Sequence, residues 1–209
     1  MTRGGAARCA EAVFDAIYLM SALALGIFLF ATSQGGARAL AGAAAYVLVG
    51  GDAFHLLPRI FGGTRRALGA GKLAASVTMT VFYILLWHLG ESLYAPGAKI
   101  ATYALYALCA LRIALCLFPN NRWFDEKPPV SWGILRNIPF AVIGAMVAIF
   151  YAQRATGALA AMPIAIALSF LFYLPVVLFA HKRPAVGMLM LPKSAAYIWM
   201  LALCARHIP

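Results

Sequence analysis

The chain has 209 residues, 64% hydrophobic and only 11% charged, with a formal net charge of +11. A soluble domain is nearer half apolar and a quarter charged, so the composition excludes an ordinary soluble globule and indicates an integral membrane protein. The basic residues sit in short loops between apolar stretches, as membrane topology requires, and this leaves no reason to invoke nucleic acid as a partner.

Seven apolar stretches, at residues 12–32, 39–57, 70–90, 98–118, 132–152, 157–180 and 185–205, each meet the length of about 20 residues needed to cross a bilayer. The predicted fold is therefore an all-α integral membrane protein, one seven-transmembrane-helix bundle over residues 1–209. Repeated Ala and Gly suit close helix packing in lipid.

The first stretch follows Arg3 and Arg8, which resemble a basic leader. Glu11 and Asp15 interrupt it, and no small-residue cleavage site follows, so it reads as a retained helix. The second ends in Gly51-Asp52-Ala53-Phe54-His55-Leu56-Leu57-Pro58-Arg59. Spacing of i, i+3 and i+7 puts Asp52, His55 and Arg59 on one helix face. Ionisable side chains inside a span are rare and mark function. Arg59 by itself reads as a residue that snorkels to the interface. The third stretch, Lys72 to His88, holds no mid-membrane aspartate, and His88 and Glu91 read as a solvated outer end.

The fourth stretch carries Arg112 at about the depth of Asp52, and Cys109 and Cys116 two turns apart. At 1.5 Å rise per residue that is about 10 Å, too far for a disulfide. These two, with Cys9 and Cys204, read as packing thiols. The loop from Phe118 to Pro129 is rich in Pro and Asn and reads as a turn, with Trp123 and Trp132 as interfacial anchors. The fifth stretch brings Arg136, read as snorkelling, and Asn137 about one turn in. The sixth ends at His181 on the inner side, and the seventh places Lys193 and Tyr197 on one face. Pro139, Pro163, Pro175 and Pro192 interrupt helices, which spans tolerate; Pro175 and Pro192 are expected to bend theirs beside a cavity. Residues 71–87 set against 187–203 share only a few identities, so an internal triplet repeat is unsupported.

Loop charge sets the orientation. Arg3, Arg8, Arg59, Arg65, Arg66, Arg122, Lys127, Lys182 and Arg183 gather on one side, against Arg38, Lys99, Arg154 and Arg206 on the other. The first side is then cytoplasmic, with the N-terminus inside, the C-terminus outside, and the protein a multi-pass component of the cell membrane.

Charges in lipid must face the bundle interior, pair, or line a wet cavity. Asp52 at one level with Arg112 and Lys193 predicts a cytoplasm-facing polar pocket with more positive than negative groups. Such a pocket suits an anionic ligand, with Asp52 and His55 as the catalytic pair and Arg112, Lys193, Tyr197, His181 and Asn137 as binding residues. A buried ion-pair network that only fixes helix packing is the plain alternative. His55 and His181 with Asp52 have the chemistry of a zinc site, but the surrounding cations oppose it, so neither metal nor cofactor is expected. Lys193 in the last helix has the place of a retinal lysine, yet helix three offers no counter-ion, and it reads instead as the partner of Asp52.

The stretch Leu48-Val49-Gly50-Gly51-Asp52-Ala53-Phe54-His55-Leu56-Leu57-Pro58-Arg59 resembles the Gly-Asp segment of the lysoplasmalogenase-like (YhhN) membrane family, with a fainter likeness from Ser169 through Tyr173 to Tyr197. The resemblance implies a helical bundle that hydrolyses the vinyl-ether bond of a lysolipid, with Asp52 as the one carboxylate it carries over. The expected function is thus a membrane-embedded hydrolase of lysoplasmalogenase type acting on an anionic lysolipid. A transporter of a small metabolite and a non-enzymatic membrane scaffold are the alternatives.

Overall fold

The computed structural model describes residues 5–208; Arg3, and the side chain of Arg8, lie outside the described residues. Seven α-helices follow one another: α1 Gly5–Ala31, α2 Gly36–Ile60, α3 Arg65–Leu93, α4 Lys99–Leu117, α5 Val130–Arg154, α6 Met162–Phe179 and α7 Met190–His207. Among the described residues there is no strand. All seven helices, α6 and α7 counted with the 3-10 turns that lead into them, are long and apolar enough to cross a membrane.

The differences from the predicted spans lie at the ends. Helix α3 runs farther at both ends than residues 70–90. The sixth and seventh stretches each start as a 3-10 turn, Gly157–Ala161 and Pro184–Leu189, before becoming α-helical. Apolar periodicity reports burial and span length. It does not report the local wind, which Pro163 and Pro184 alter by withholding a backbone donor at a helix start.

Consecutive helices pack side by side, and α7 closes the ring against α1 and α2. Helix α3 touches α5 as well as α2 and α4, and so runs through the middle. We call the end where α1 begins proximal and the end where α7 finishes distal.

Two glycines bring α2 and α3 together. A Cβ on Gly71 would collide with the Phe54 carbonyl oxygen, and one on Gly51 would collide with Thr78 Oγ1. Backbone against backbone at these points sets Asp52 and His55 of α2 opposite the proximal half of α3. The connection that follows α2 turns at Gly62, φ 69°, and Thr64 then caps α3 by accepting from the Ala67 amide at 3.2 Å.

The distal half is filled with rings. Trp87 lies against Phe150 with centroids 4.9 Å apart, and the Tyr151 hydroxyl donates to the Leu86 carbonyl at 2.9 Å. Tyr94 meets His207 Nε2 at 3.2 Å, and Arg38 donates to the carbonyl of Ile208. Edge-on contacts among Tyr83, Phe82, Tyr197 and Phe140 continue this packing toward the middle.

Candidate functional site: a cation-lined proximal cavity

The proximal halves of α2 to α7 enclose a cavity of about 590 Å³. Asp52, His55, Arg112 and Lys193 line it, so four of the seven sequence-predicted site residues come together there. The α2 face was read correctly: Asp52, His55 and Arg59 all point into this space. Lys72 of α3 and Arg136 of α5 join them.

Asp52 does not close an ion pair with Arg112 or Lys193 among the described residues, contrary to expectation. Its Oδ2 instead accepts a hydrogen bond from the Tyr18 hydroxyl at 2.5 Å. Tyr18 is 1% exposed and comes from α1, none of whose described residues lines the cavity. The phenol reaches the carboxylate from behind. That leaves the rest of the carboxylate toward the cavity. His55 sits one turn away with its Nδ1 buried and without a hydrogen-bond partner. Asp52 therefore does not orient the imidazole.

Arg112 is 2% exposed and lies in the cavity wall. Its Nη1 donates to Thr80 Oγ1 at 2.8 Å, and its guanidinium carbon stands 3.4 Å above the Phe140 ring centre. Its Nε has no partner. The Lys193 ammonium lies 4.8 Å from the Tyr173 ring centre and 5.2 Å from that of Tyr197. Ring faces attract a cation without neutralising it. Neither cation closes a salt bridge among the described residues, although Lys193 feels the charge of Asp52. Arg59 differs, for it pairs with Glu11 at 2.5 Å and approaches Asp15 at 4.0 Å.

Tyr197, Asn137 and His181 do not line the cavity. Tyr197 is buried beneath the Lys193 ammonium, which it supports as a ring face. Asn137 is buried too; its Nδ2 donates to the Gly133 carbonyl and its Oδ1 accepts from the Tyr173 hydroxyl at 2.9 Å, steadying the other ring below Lys193. His181 stands exposed on the turn after α6. A histidine at the end of the sixth apolar stretch looked like an inner-face ligand, but the chain leaves α6 before that side chain can turn inward. Among the described residues no group of three or more His, Cys, Asp or Glu converges as a metal site would need.

Trp123 also departs from the reading as an interfacial anchor. Its Nε1 donates to the Cys116 carbonyl at 2.8 Å, and its ring faces the cavity under the Arg136 guanidinium, 4.1 Å from the ring centre. Arg136 in turn donates to Asn121 Oδ1 at 2.8 Å. The turn after α4 is thus folded back as cavity wall, and Arg136 is held inward, not snorkelling outward. Trp132 stacks on Phe118 at 5.3 Å.

Sequence reasoning passed over Lys72 and Tyr18. Lys72 sits close enough to the proximal end of its span to look like a snorkelling residue, and nothing local shows which face of α3 meets the cavity. Tyr18 is one aromatic among many. Its distance of 34 positions from Asp52 in the chain hides the bond.

Comparison with protein-family models, with curated proteins and with solved structures finds no match to this chain.

Proposed function

We propose that the protein spans a membrane with its proximal end toward the cytoplasm, and that it hydrolyses an anionic lysolipid in the proximal cavity, in the manner of a lysoplasmalogenase. The observation that carries this reading is the pair of buried cations, Arg112 and Lys193, which share a wall with one carboxylate and close no salt bridge with it among the described residues. A buried charge is costly unless it is paired, so a site built this way stabilises an anion that comes and goes. The likeness of the Gly51-Asp52 segment to the lysoplasmalogenase-like family supplies the reaction class. Arg65, Arg66, Arg122, Lys127, Lys182 and Arg183, all at the proximal end, supply the orientation.

In this reading Arg112 and Lys193 hold the lipid phosphate. Asp52, fixed by Tyr18, takes a proton from water, and His55 relays a proton to the vinyl carbon. The hydroxyl adds to the neighbouring carbon, and the hemiacetal collapses to an aldehyde and the free glycerol hydroxyl. One water is consumed and no other reactant is needed. Purified protein in detergent should release aldehyde from an alkenyl lysolipid with no gradient present. The Asp52→Asn protein should lose turnover by at least ~100-fold while eluting as the native species, since a general base contributes about that much. Undiminished aldehyde release by Asp52→Asn would end the hydrolytic reading.

One observation favours a second reading, carriage of a small anion. The cavity is confined to the proximal halves of the helices, while packed rings close the distal half. A carrier captured open to one side has this form. Uptake of labelled phosphate into proteoliposomes, with no aldehyde release, would select it.

A further inference from the structure

The charge around the cavity says what kind of headgroup it takes. Among the described residues, five cations line it: Arg59, Lys72, Arg112, Arg136 and Lys193. Three carboxylates face them, Asp52 on the lining and Glu11 and Asp15 behind Arg59. Five against three leaves two formal positive charges. The cations fall into two groups. Lys72 experiences the like charges of Arg136 and Arg59, whereas Lys193 experiences Arg112 and the opposite charge of Asp52. Arg112, 2% exposed, keeps an Nε without a partner in this wall.

A zwitterionic headgroup such as phosphoethanolamine or phosphocholine fits this badly. Its phosphodiester carries one negative charge, and its ammonium would have to sit among five cations, with only the part of the Asp52 carboxylate that Tyr18 leaves toward the cavity to receive it. A phosphomonoester carries close to two negative charges at neutral pH, which matches the surplus, and three strong acceptor oxygens that several of these donors can share.

A second feature concerns the tail. On the far side of one wall of the cavity lies an apolar groove of about 480 Å³, lined by Pro175, Phe179, Val186 and Leu189, with Lys182 and Arg183 at its rim. The wall is shared: α6 gives Val176 and Val177 to the cavity but Pro175 and Phe179 to the groove. The 3-10 turn Pro184–Leu189 likewise gives Gly187 to the cavity and Val186 and Leu189 to the groove, and none of its residues is buried. The α6 part of this wall is α-helical up to Phe179, whereas the Pro184–Leu189 part is a 3-10 turn without the α-helical ladder.

We propose that cavity and groove form one site for a single-chain lipid phosphomonoester, its phosphate among Arg112, Lys193, Lys72 and Arg136 and its chain in the groove between the end of α6 and the 3-10 turn Pro184–Leu189. The proposal rests on the reading above for the lipid nature of the ligand, and not for hydrolysis. The phosphate carries the recognition; the chain decides whether the ligand is a lipid or a free phosphate.

The test is equilibrium binding to the full-length protein in a neutral detergent, with four probes: a 16-carbon acylglycerol phosphate, the same lipid as its phosphoethanolamine ester, inorganic phosphate, and the uncharged monoacylglycerol. The phosphomonoester lipid should bind at least about tenfold more tightly than the phosphoethanolamine ester, a difference of ~1.4 kcal/mol. Lys72→Gln or Arg136→Gln should remove that preference. Val186→Trp, which fills the groove, should weaken the lipid while leaving inorganic phosphate unchanged. Equal or better binding of the phosphoethanolamine ester overturns the proposal. So does inorganic phosphate binding as tightly as the lipid, which makes the ligand a soluble anion, or monoacylglycerol binding as tightly, which makes it the chain alone. The wild-type ranking decides the matter even where a variant does not fold. Because binding is read, absence of aldehyde release would sink only the hydrolytic reading.

Discussion

At the scale of single residues, the buried charges are held by groups that orient them without neutralising them. Arg112 is placed by Thr80 and the Phe140 ring, Lys193 by the Tyr173 and Tyr197 rings. Replacing a buried, uncompensated cation by an apolar side chain of similar length removes a desolvation penalty. Arg112→Met should therefore hold or raise the melting temperature of the ligand-free protein, and should abolish the stabilisation that an anionic ligand confers on the wild type by mass action. Thermal unfolding with and without an acylglycerol phosphate checks both halves; a Tm drop of more than a few degrees without ligand would mean that Arg112 is structural cement. Tyr18→Phe makes the opposite case. It deletes the hydrogen bond that the Asp52 carboxylate accepts from Tyr18 and leaves a partly buried acceptor unmade, at about 1–3 kcal/mol. Chemical denaturation should record that loss, and aldehyde release should fall with it although Tyr18 does not line the cavity.

At the scale of elements, α2 and α3 are the pair on which the site depends, and their spacing is set by glycine. Gly71→Ala drives a methyl into the Phe54 carbonyl, a backbone atom that cannot swing aside as a flexible side chain would. The expected loss is about 3 kcal/mol, at the upper end for overpacking, together with loss of anion binding as His55 and Asp52 move off Lys72. Gly50→Ala is the control. Nothing lies within 4 Å of a Cβ there, and alanine is the better helix former, so that variant should be neutral or slightly more stable. Denaturation midpoints of the two proteins, measured side by side, test the claim. Much of this element-level structure was legible beforehand: the seven stretches, the shared face of Asp52, His55 and Arg59, and the common face of Lys193 and Tyr197 all follow from helical period. What escaped were the contacts that depend on how two helices are rotated against each other. His181 was lost to a turn, Asn137 to a bond with Tyr173, and Trp123 was drawn inward by the Cys116 carbonyl.

At the scale of the whole molecule, the two ends differ in purpose. The distal end is closed by packed rings and by Tyr94 with His207; the proximal end holds the cavity and the denser basic loops. The proposed orientation makes a definite prediction for intact cells treated with a membrane-impermeant maleimide. Cysteine placed at Lys99, at the distal start of α4, should be labelled, and cysteine placed at Arg66, at the proximal start of α3, should be labelled only after lysis. The background residue to remove is Cys9, which is exposed, whereas Cys109, Cys116 and Cys204 are buried. The reverse pattern would turn the cavity outward.

Composition and hydrophobic period were sufficient, on their own, for the all-helical class, the number of helices long and apolar enough to cross a membrane, and the common level of Asp52, Arg112 and Lys193, because apolar length is a one-dimensional constraint on each segment. The tertiary arrangement alone decided which partner each charge received: Tyr18 for Asp52, Glu11 for Arg59, aromatic faces for Lys193. It also recruited Lys72 and Arg136 to the cavity and folded Trp123 into its wall. These outcomes depend on the azimuth of one helix against another, set by close contacts such as Gly71 on Phe54, and a linear pattern of apolar residues carries no term for that angle.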